Sequence, residues 1–508
     1  MKLTKKKADA IALAAISLVT KTVSAAREYN LSIAASNELT PGYITALYYT
    51  EWSYFQQHLP SNIPLASVTN LYYAFLKIDE ETLQLHFQDP KLATNSSIPF
   101  ETQNLGDCVR QKQFFSSISD DWVSMFMKNV TLLTQMVGNT QLNSSGLLGQ
   151  LSQIKSLNPN IRMSLSIGGA ETSRVFKRIT DSAKLRDQFA QILALYVHHY
   201  GFDGLDLDWE YPEKRSKDSL SEFVRLIRVY LDKLRPQCER YLLTLALPSE
   251  IEKLDHYDFD ELSKHVTYYN VMGYDMGGIW DRKVQFQSQL YEDKSSASKS
   301  SVDNTIRYLL KERCVRSRQI VLGMPAYGRS FNAKHLYEEA NACAPLTGIK
   351  QDPEECIVAY NVLPPEGYTE VFDKRTGVVY ATNNHDGIVV YDNSKTVRLK
   401  ADYVRSHRLA GGVWWDSSGD TYSVNASRSL LYSFIDQLGG LGLLKKAQCK
   451  VNPDLYHGDF GTVSYPKDEL PRLSNTNAAS IIEPVLPLLW SVYVLASLLA
   501  LFKGILWY

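Results

Sequence analysis

From residue 43 onward, short apolar and β-branched runs alternate with segments whose apolar residues recur at helical spacing. The runs at 43–49, 68–75, 162–167, 204–209, 241–247, 268–272, 319–324 and 411–415 read as strands. The clearest intervening helix is 219–234, where Phe223, Leu226, Ile227, Tyr230 and Leu231 share one face. Strands separated by helices throughout one chain predict an α/β protein with a parallel sheet. Eight of them favour a closed (β/α)8 TIM barrel over an open doubly wound sheet. No GxGxxG or GxxxxGK[ST] loop follows any of these strands, so nothing suggests a nucleotide and no cofactor is expected.

Two stretches break the rhythm. Residues 79–145 are long and polar and read as a surface excursion after the second strand. Residues 332–388, between the seventh and eighth strands, hold Cys343, Cys356 and several short β-like runs. That is too much for a crossover, and it predicts a small α+β subdomain inserted at the barrel mouth.

The two ends differ from the middle. Lys2, Lys5, Lys6 and Lys7 precede an apolar run to Val19, and Val23-Ser24-Ala25 supplies small residues at cleavage spacing, so residues 1–25 read as a signal peptide. Asn30, Asn95, Asn129, Asn143 and Asn425 each open an Asn-x-Ser/Thr triplet, consistent with a secreted, extracellular glycoprotein. At the other end, 441–483 reads as a linker. The apolar tail 484–508 follows a small, polar stretch and reads as a GPI signal or a membrane anchor, giving attachment to membrane or cell wall. The six cysteines form no CxxC or Cys/His cluster, so no metal site is expected; Cys343 and Cys356, the close pair, are the best candidates for a disulfide. With a formal net charge of -1 the chain has no electrostatic footprint for nucleic acid. A monomer is expected.

The chemistry concentrates in Asp203-Gly204-Leu205-Asp206-Leu207-Asp208-Trp209-Glu210-Tyr211. Alternate residues of a strand share a face, so Asp206, Asp208 and Glu210 point one way and Leu205, Leu207 and Trp209 the other. Successive carboxylates then sit about 6–7 Å apart. Acids so close on an inner face cannot all ionise without cost, and at least one pKa rises, as a general acid requires. An acidic surface edge would have polar residues on both faces. A metal cluster would need further ligands, and no matching His or acid set is evident. Asp203 lies off the inward register and reads as strand-end structure, and Trp209 as core.

This segment resembles the DGxDxDxE signature of family 18 glycoside hydrolases, and other landmarks of that family follow in order. Leu47-Tyr48-Tyr49-Thr50-Glu51-Trp52-Ser53 looks like its first-strand segment, and Ser164 to Gly169 its SxGG motif. Met272-Gly273-Tyr274-Asp275 is similar to its MxYD, Gly323 to Phe331 to its seventh-strand segment, and Gly411 to Trp415 to its eighth. The resemblance covers about 40–440. It implies an enzyme acting on chitin or N-acetylglucosamine oligosaccharides by substrate-assisted retention, an exception to two-carboxylate catalysis. Glu210 would then be the acid and base. Asp208 would orient the acetamide, Asp206 would share a proton with Asp208, and Tyr274 would bond the acetamide oxygen. Trp415 would floor the site, with Trp414 the fallback if the register slips. Tyr49, Gly169, Tyr211, Met272, Asp275, Tyr327 and Arg329 would line the cleft, although Gly168 and Gly169 suit close backbone approach better than binding. Trp280 suits either a groove platform or a packed loop.

Ala170 stands where the family often has Trp, and losing that ring would open the leaving-group side. The leading expectation is an endo-chitinase in wall remodelling. An endo-N-acetylglucosaminidase acting on N-glycans is the enzymatic alternative, and a non-catalytic chitin-binding lectin the other. The acid and both aspartates argue against a lectin.

Overall fold

The computed structural model describes residues 42–99, 143–170, 172–234, 240–294, 300–422 and 426–447. The signal peptide, the linker beyond residue 447, the apolar tail, and Asn30, Asn129 and Asn425 lie outside them.

Eight parallel strands close on themselves: β1 (Ile44–Thr50), β2 (Asn70–Ile78), β3 (Arg162–Gly169), β4 (Gly204–Trp209), β5 (Leu242–Leu247), β6 (Tyr268–Val271), β7 (Ile320–Pro325) and β8 (Gly411–Trp415). β1 pairs with β8 on one side, Leu47 opposite Trp414, and with β2 on the other, Tyr48 opposite Tyr72. The barrel is therefore complete, and β4 stands across it from β8. Helices pack outside. Lys217–Lys233 buries Leu220, Phe223, Val224, Ile227 and Leu231, while Leu226 and Tyr230 sit at the half-buried edge of that stripe. The first crossover carries only the 3-10 turns Glu51–Gln56 and Pro60–Asn62.

Strand register decides what faces the barrel axis. Ile44, Ala46, Tyr48, Tyr72, Ala74, Leu242, Tyr268, Val321 and Val413 form one buried cluster inside it. The opposite faces are apolar too, because helices cover them: Trp209 stacks on Phe176 at 5.5 Å. At Gly168, φ is +130° and an added Cβ would lie 1.9 Å from the Asp208 carbonyl oxygen. Only glycine lets β3 lie this close to β4.

Asp203 is structural: its carboxylate receives the Lys155 ammonium and the Met163 backbone N–H. The insertion is an antiparallel sheet in the order Ile357–Ala359, Tyr327–Phe331, Ile388–Tyr391, Val378–Thr382, Thr369–Asp373. It extends beyond 332–388 on both sides, and its described helical content is the 3-10 turn Tyr360–Val362. Its core is apolar, with Phe331, Val378, Ile388 and Val390 packed on Val284 and Phe286 from the loop after β6. Cys343 and Cys356 are joined in a disulfide, and Cys314 is free and exposed. Cys108, Cys238 and Cys449 lie outside the described residues. Among the described residues no helix is long and apolar enough to cross a membrane.

Candidate active site

The C-terminal ends of the strands open into a cleft of about 420 Å³. A TIM barrel concentrates chemistry at this end, because the loops there are free to vary while the strands hold their ends rigid. Asp208, Glu210, Tyr274 and Trp415 all line the cleft, and Asp206 lies beneath it.

Asp206 is fully buried, and four donors converge on it. Its Oδ2 accepts from Tyr48 Oη at 3.0 Å and Ser166 Oγ at 2.7 Å. Its Oδ1 accepts from Thr244 Oγ1 at 2.5 Å and Asn270 Nδ2 at 3.2 Å. Burial raises its pKa, and the four bonds pull it back. Both oxygens thus carry donors, and the charge of Asp206 bears directly on its neighbour Asp208.

Asp208, two residues on, is 5% exposed, and its Oδ1 has no hydrogen-bond partner. A buried carboxylate oxygen without a donor is costly unless a ligand supplies one. Burial, then the charges of Glu210 and Asp206, push the Asp208 pKa well up, while Lys77 opposes them. Glu210 is pushed up to about 7, chiefly by burial, with Asp275 adding and Tyr211 offsetting. This outermost acid therefore keeps its proton near neutrality, as a general acid must.

The other expected residues divide. Gly169, Tyr211, Met272, Asp275, Tyr327 and Arg329 all line the cleft. Asp275 Oδ1 accepts from Tyr327 Oη at 2.7 Å and Arg329 Nε at 2.8 Å, which braces the sixth-strand end against the insertion. Tyr274 meets Tyr327 edge-on at 6.3 Å, and burial raises its hydroxyl pKa. Trp415 lines the cleft, stacked on Phe75 at 5.5 Å, whereas Trp414 is buried outside the barrel against Phe434. Trp280 is 53% exposed beneath the Arg329 guanidinium, 4.5 Å from its ring.

Tyr49 is a correction. It is wholly buried outside the barrel, donates to the His58 carbonyl at 3.0 Å and stacks on Tyr73. Its neighbour Tyr48 faces inward, since strand side chains alternate. Tyr48 and Trp52 of the first-strand segment also line the cleft, as do Phe75, Lys77 and Asn270, which no sequence motif marks. The alternation set by Asp206 could have found Tyr48 once the two strands were known to face each other. Among the described residues no three His, Cys, Asp or Glu are placed to hold a metal ion.

The sequence model of the family described as Glycosyl hydrolases family 18 matches residues 44–420. Sporulation-specific chitinase 2 of Saccharomyces cerevisiae is 31% identical over 425 residues, 78% of this chain and 78% of its own length. Endochitinase 1 of Metarhizium robertsii is 26% identical, over 84% of this chain and 93% of its own. Among solved structures, chitinase ChiA74 from Bacillus thuringiensis superposes with a TM-score of 0.65 at 21% identity, covering 80% of this chain and 71% of its own.

Proposed function

The chain belongs to glycosyl hydrolases family 18, and from that premise we propose that it is a chitinase cutting internal β-1,4 bonds between N-acetylglucosamine units with retention. The observation that carries the reading is the pairing of a proton-holding Glu210, pKa about 7, with an Asp208 oxygen that lacks a donor.

In this mechanism Glu210 gives its proton to the glycosidic oxygen as the bond to the anomeric carbon breaks. The substrate's own acetamide oxygen takes the vacated position, forming a cyclic oxazolinium. Asp208 accepts the acetamide N–H through its unpartnered oxygen and balances the new positive charge, while the Tyr274 hydroxyl donates to the acetamide oxygen. Trp415 supplies an apolar floor for the sugar ring. Glu210, now a carboxylate, takes a proton from water as that water opens the oxazolinium on the face the leaving group left, which gives retention.

The test is release of reducing sugar from soluble chitin, with the first-formed anomer read by NMR. Wild type should release β-anomer, and Glu210→Gln should lose at least about a hundredfold in turnover. Equal activity in the two proteins, or α-anomer first, would exclude the assignment. The reading extends to an exported monomer, held at the cell surface or wall by its C-terminal tail and acting in wall remodelling. The leader-like N-terminus and the sequons support export. Surface labelling of intact cells would test it, and a wholly internal protein would refute it.

A further inference from the structure

Among the described residues two cations line the cleft, Lys77 and Arg329, and their surroundings differ. Arg329 is neutralised: it pairs with Asp275 at 2.8 Å and Glu355 at 3.3 Å, and also donates to the Glu355 carbonyl. Lys77, near the end of β2, makes no ion pair and no side-chain hydrogen bond among the described residues. Its ammonium lies 5.4 Å from the Phe75 ring centre. Lys77 and Ala170 both line the cleft from the ends of neighbouring strands, β2 and β3, and Ala170 stands on the side that the family resemblance assigns to the leaving group. Its field reaches Asp208.

An ammonium in a sugar cleft has three donors and no acceptor. It can bond the carbonyl of an acetamide, and it repels a protonated amine in the same place. Resting on the chitinase reading above, we propose that Lys77 is a specificity-determining residue that favours N-acetylglucosamine over glucosamine in the leaving-group position. The sugar bonded at Asp208 must carry its acetyl group in any case, since that group is the nucleophile. Selection on the leaving-group sugar is therefore separate from catalysis and shows in a different product end. The bond cut is the same glycosidic bond; only the substituent tolerated beside it changes.

The experiment is digestion of soluble, partially deacetylated chitin, with sequencing of the new ends by mass spectrometry. Every new reducing end should be acetylated. At new non-reducing ends wild type should show glucosamine depleted relative to its share of the polymer. Lys77→Gln should raise that share about fivefold, the effect of one charge pair at about 4 Å in a watery cleft, and Lys77→Arg should keep the depletion. Raising the pH until the substrate amines are neutral should lessen the wild-type depletion, because the repulsion goes while the bond to the acetamide carbonyl stays. The end composition is a ratio, so a general loss of rate in a variant does not disturb it. An unchanged share in Lys77→Gln, or equal depletion at high pH, would overturn the inference while leaving the chitinase reading intact. If fully acetylated oligomers are not cut either, both fall.

Discussion

Tyr48 on β1 donates its hydroxyl to Asp206 on β4, 3.0 Å away across the barrel interior. Ser166, Thr244 and Asn270 complete the ring of donors, so four strands besides β4 fix the innermost acid. That anchoring makes the carboxylate row rigid where a flexible one would lose its spacing.

Removing one bond of the ring gives a direct test. Tyr48→Phe keeps the ring but takes away a donor to a buried acid, which costs about 1.5–3 kcal/mol in stability. The Tyr48 bond favours the charged form of Asp206, so the Asp206 pKa rises further. The expected outcome is a lower Tm with kcat reduced by about tenfold and KM little changed. A variant with full kcat would show that the ring is structural only.

The pH dependence follows from Glu210, raised from the ordinary 4.5 to about 7. As the proton donor it is competent below that value, so kcat on soluble chitin should fall about tenfold per pH unit well above it. Between 4.5 and about 7 the folded protein holds a proton that the unfolded chain has released. Stability therefore falls as pH rises through this window and is unaffected below it. Glu210→Gln removes the penalty and should be more stable than wild type by about 1–2 kcal/mol near pH 8, with no gain near pH 4, because water in the cleft screens part of the burial effect. Melting curves across this range would show the crossing, and a gain independent of pH would contradict it.

The acidic strand could be read from sequence because only one of its faces carries charge: Asp206 and Asp208 alternate with Leu205, Leu207 and Trp209. β1 gave no such contrast. Tyr48 and Tyr49 are both aromatic and both buried, one inside the barrel and one beneath its outer layer, and a strand covered on both faces loses the alternation that reveals its parity. The insertion shows the same limit at another scale. Its disulfide followed from cysteine proximity, but its strands pair with partners far along the chain, such as Arg329 with Val390, and no local pattern encodes that. Lys77 carries no motif; its importance appears only once β2 ends beside the carboxylates.

The disulfide reaches the cleft through one residue. Cys356 follows Glu355, which holds Arg329 by carbonyl and carboxylate, and Arg329 in turn braces Asp275. The bridge spans 13 residues, and closing a loop of that size contributes about 3 kcal/mol. Replacing both cysteines by serine should loosen this segment first, raising KM for chitin oligomers while kcat holds within about twofold. Limited proteolysis would report cleavage between 343 and 356. An unchanged KM with cleavage elsewhere would separate the bridge from the cleft.

Trp414 and Trp415 turn one residue of register into a measurable contrast. Trp415 packs on Phe75, Tyr48 and Trp52 and lines the cleft, whereas Trp414 meets Phe434 edge-on at 5.1 Å outside the barrel. Trp414→Ala should therefore act on folding, costing about 3–5 kcal/mol for a large buried ring, with surviving protein binding oligomers normally. Trp415→Ala removes the floor and should weaken binding of the distorted sugar, lowering kcat/KM by about a hundredfold with a smaller fall in Tm. The reverse pattern would mean that β8 is shifted by one residue, and a shifted β8 would also break the pairing of Gly411 with Ile44 and Val321 that closes the barrel. The double contrast thus tests the register of the last strand and the identity of the sugar platform together.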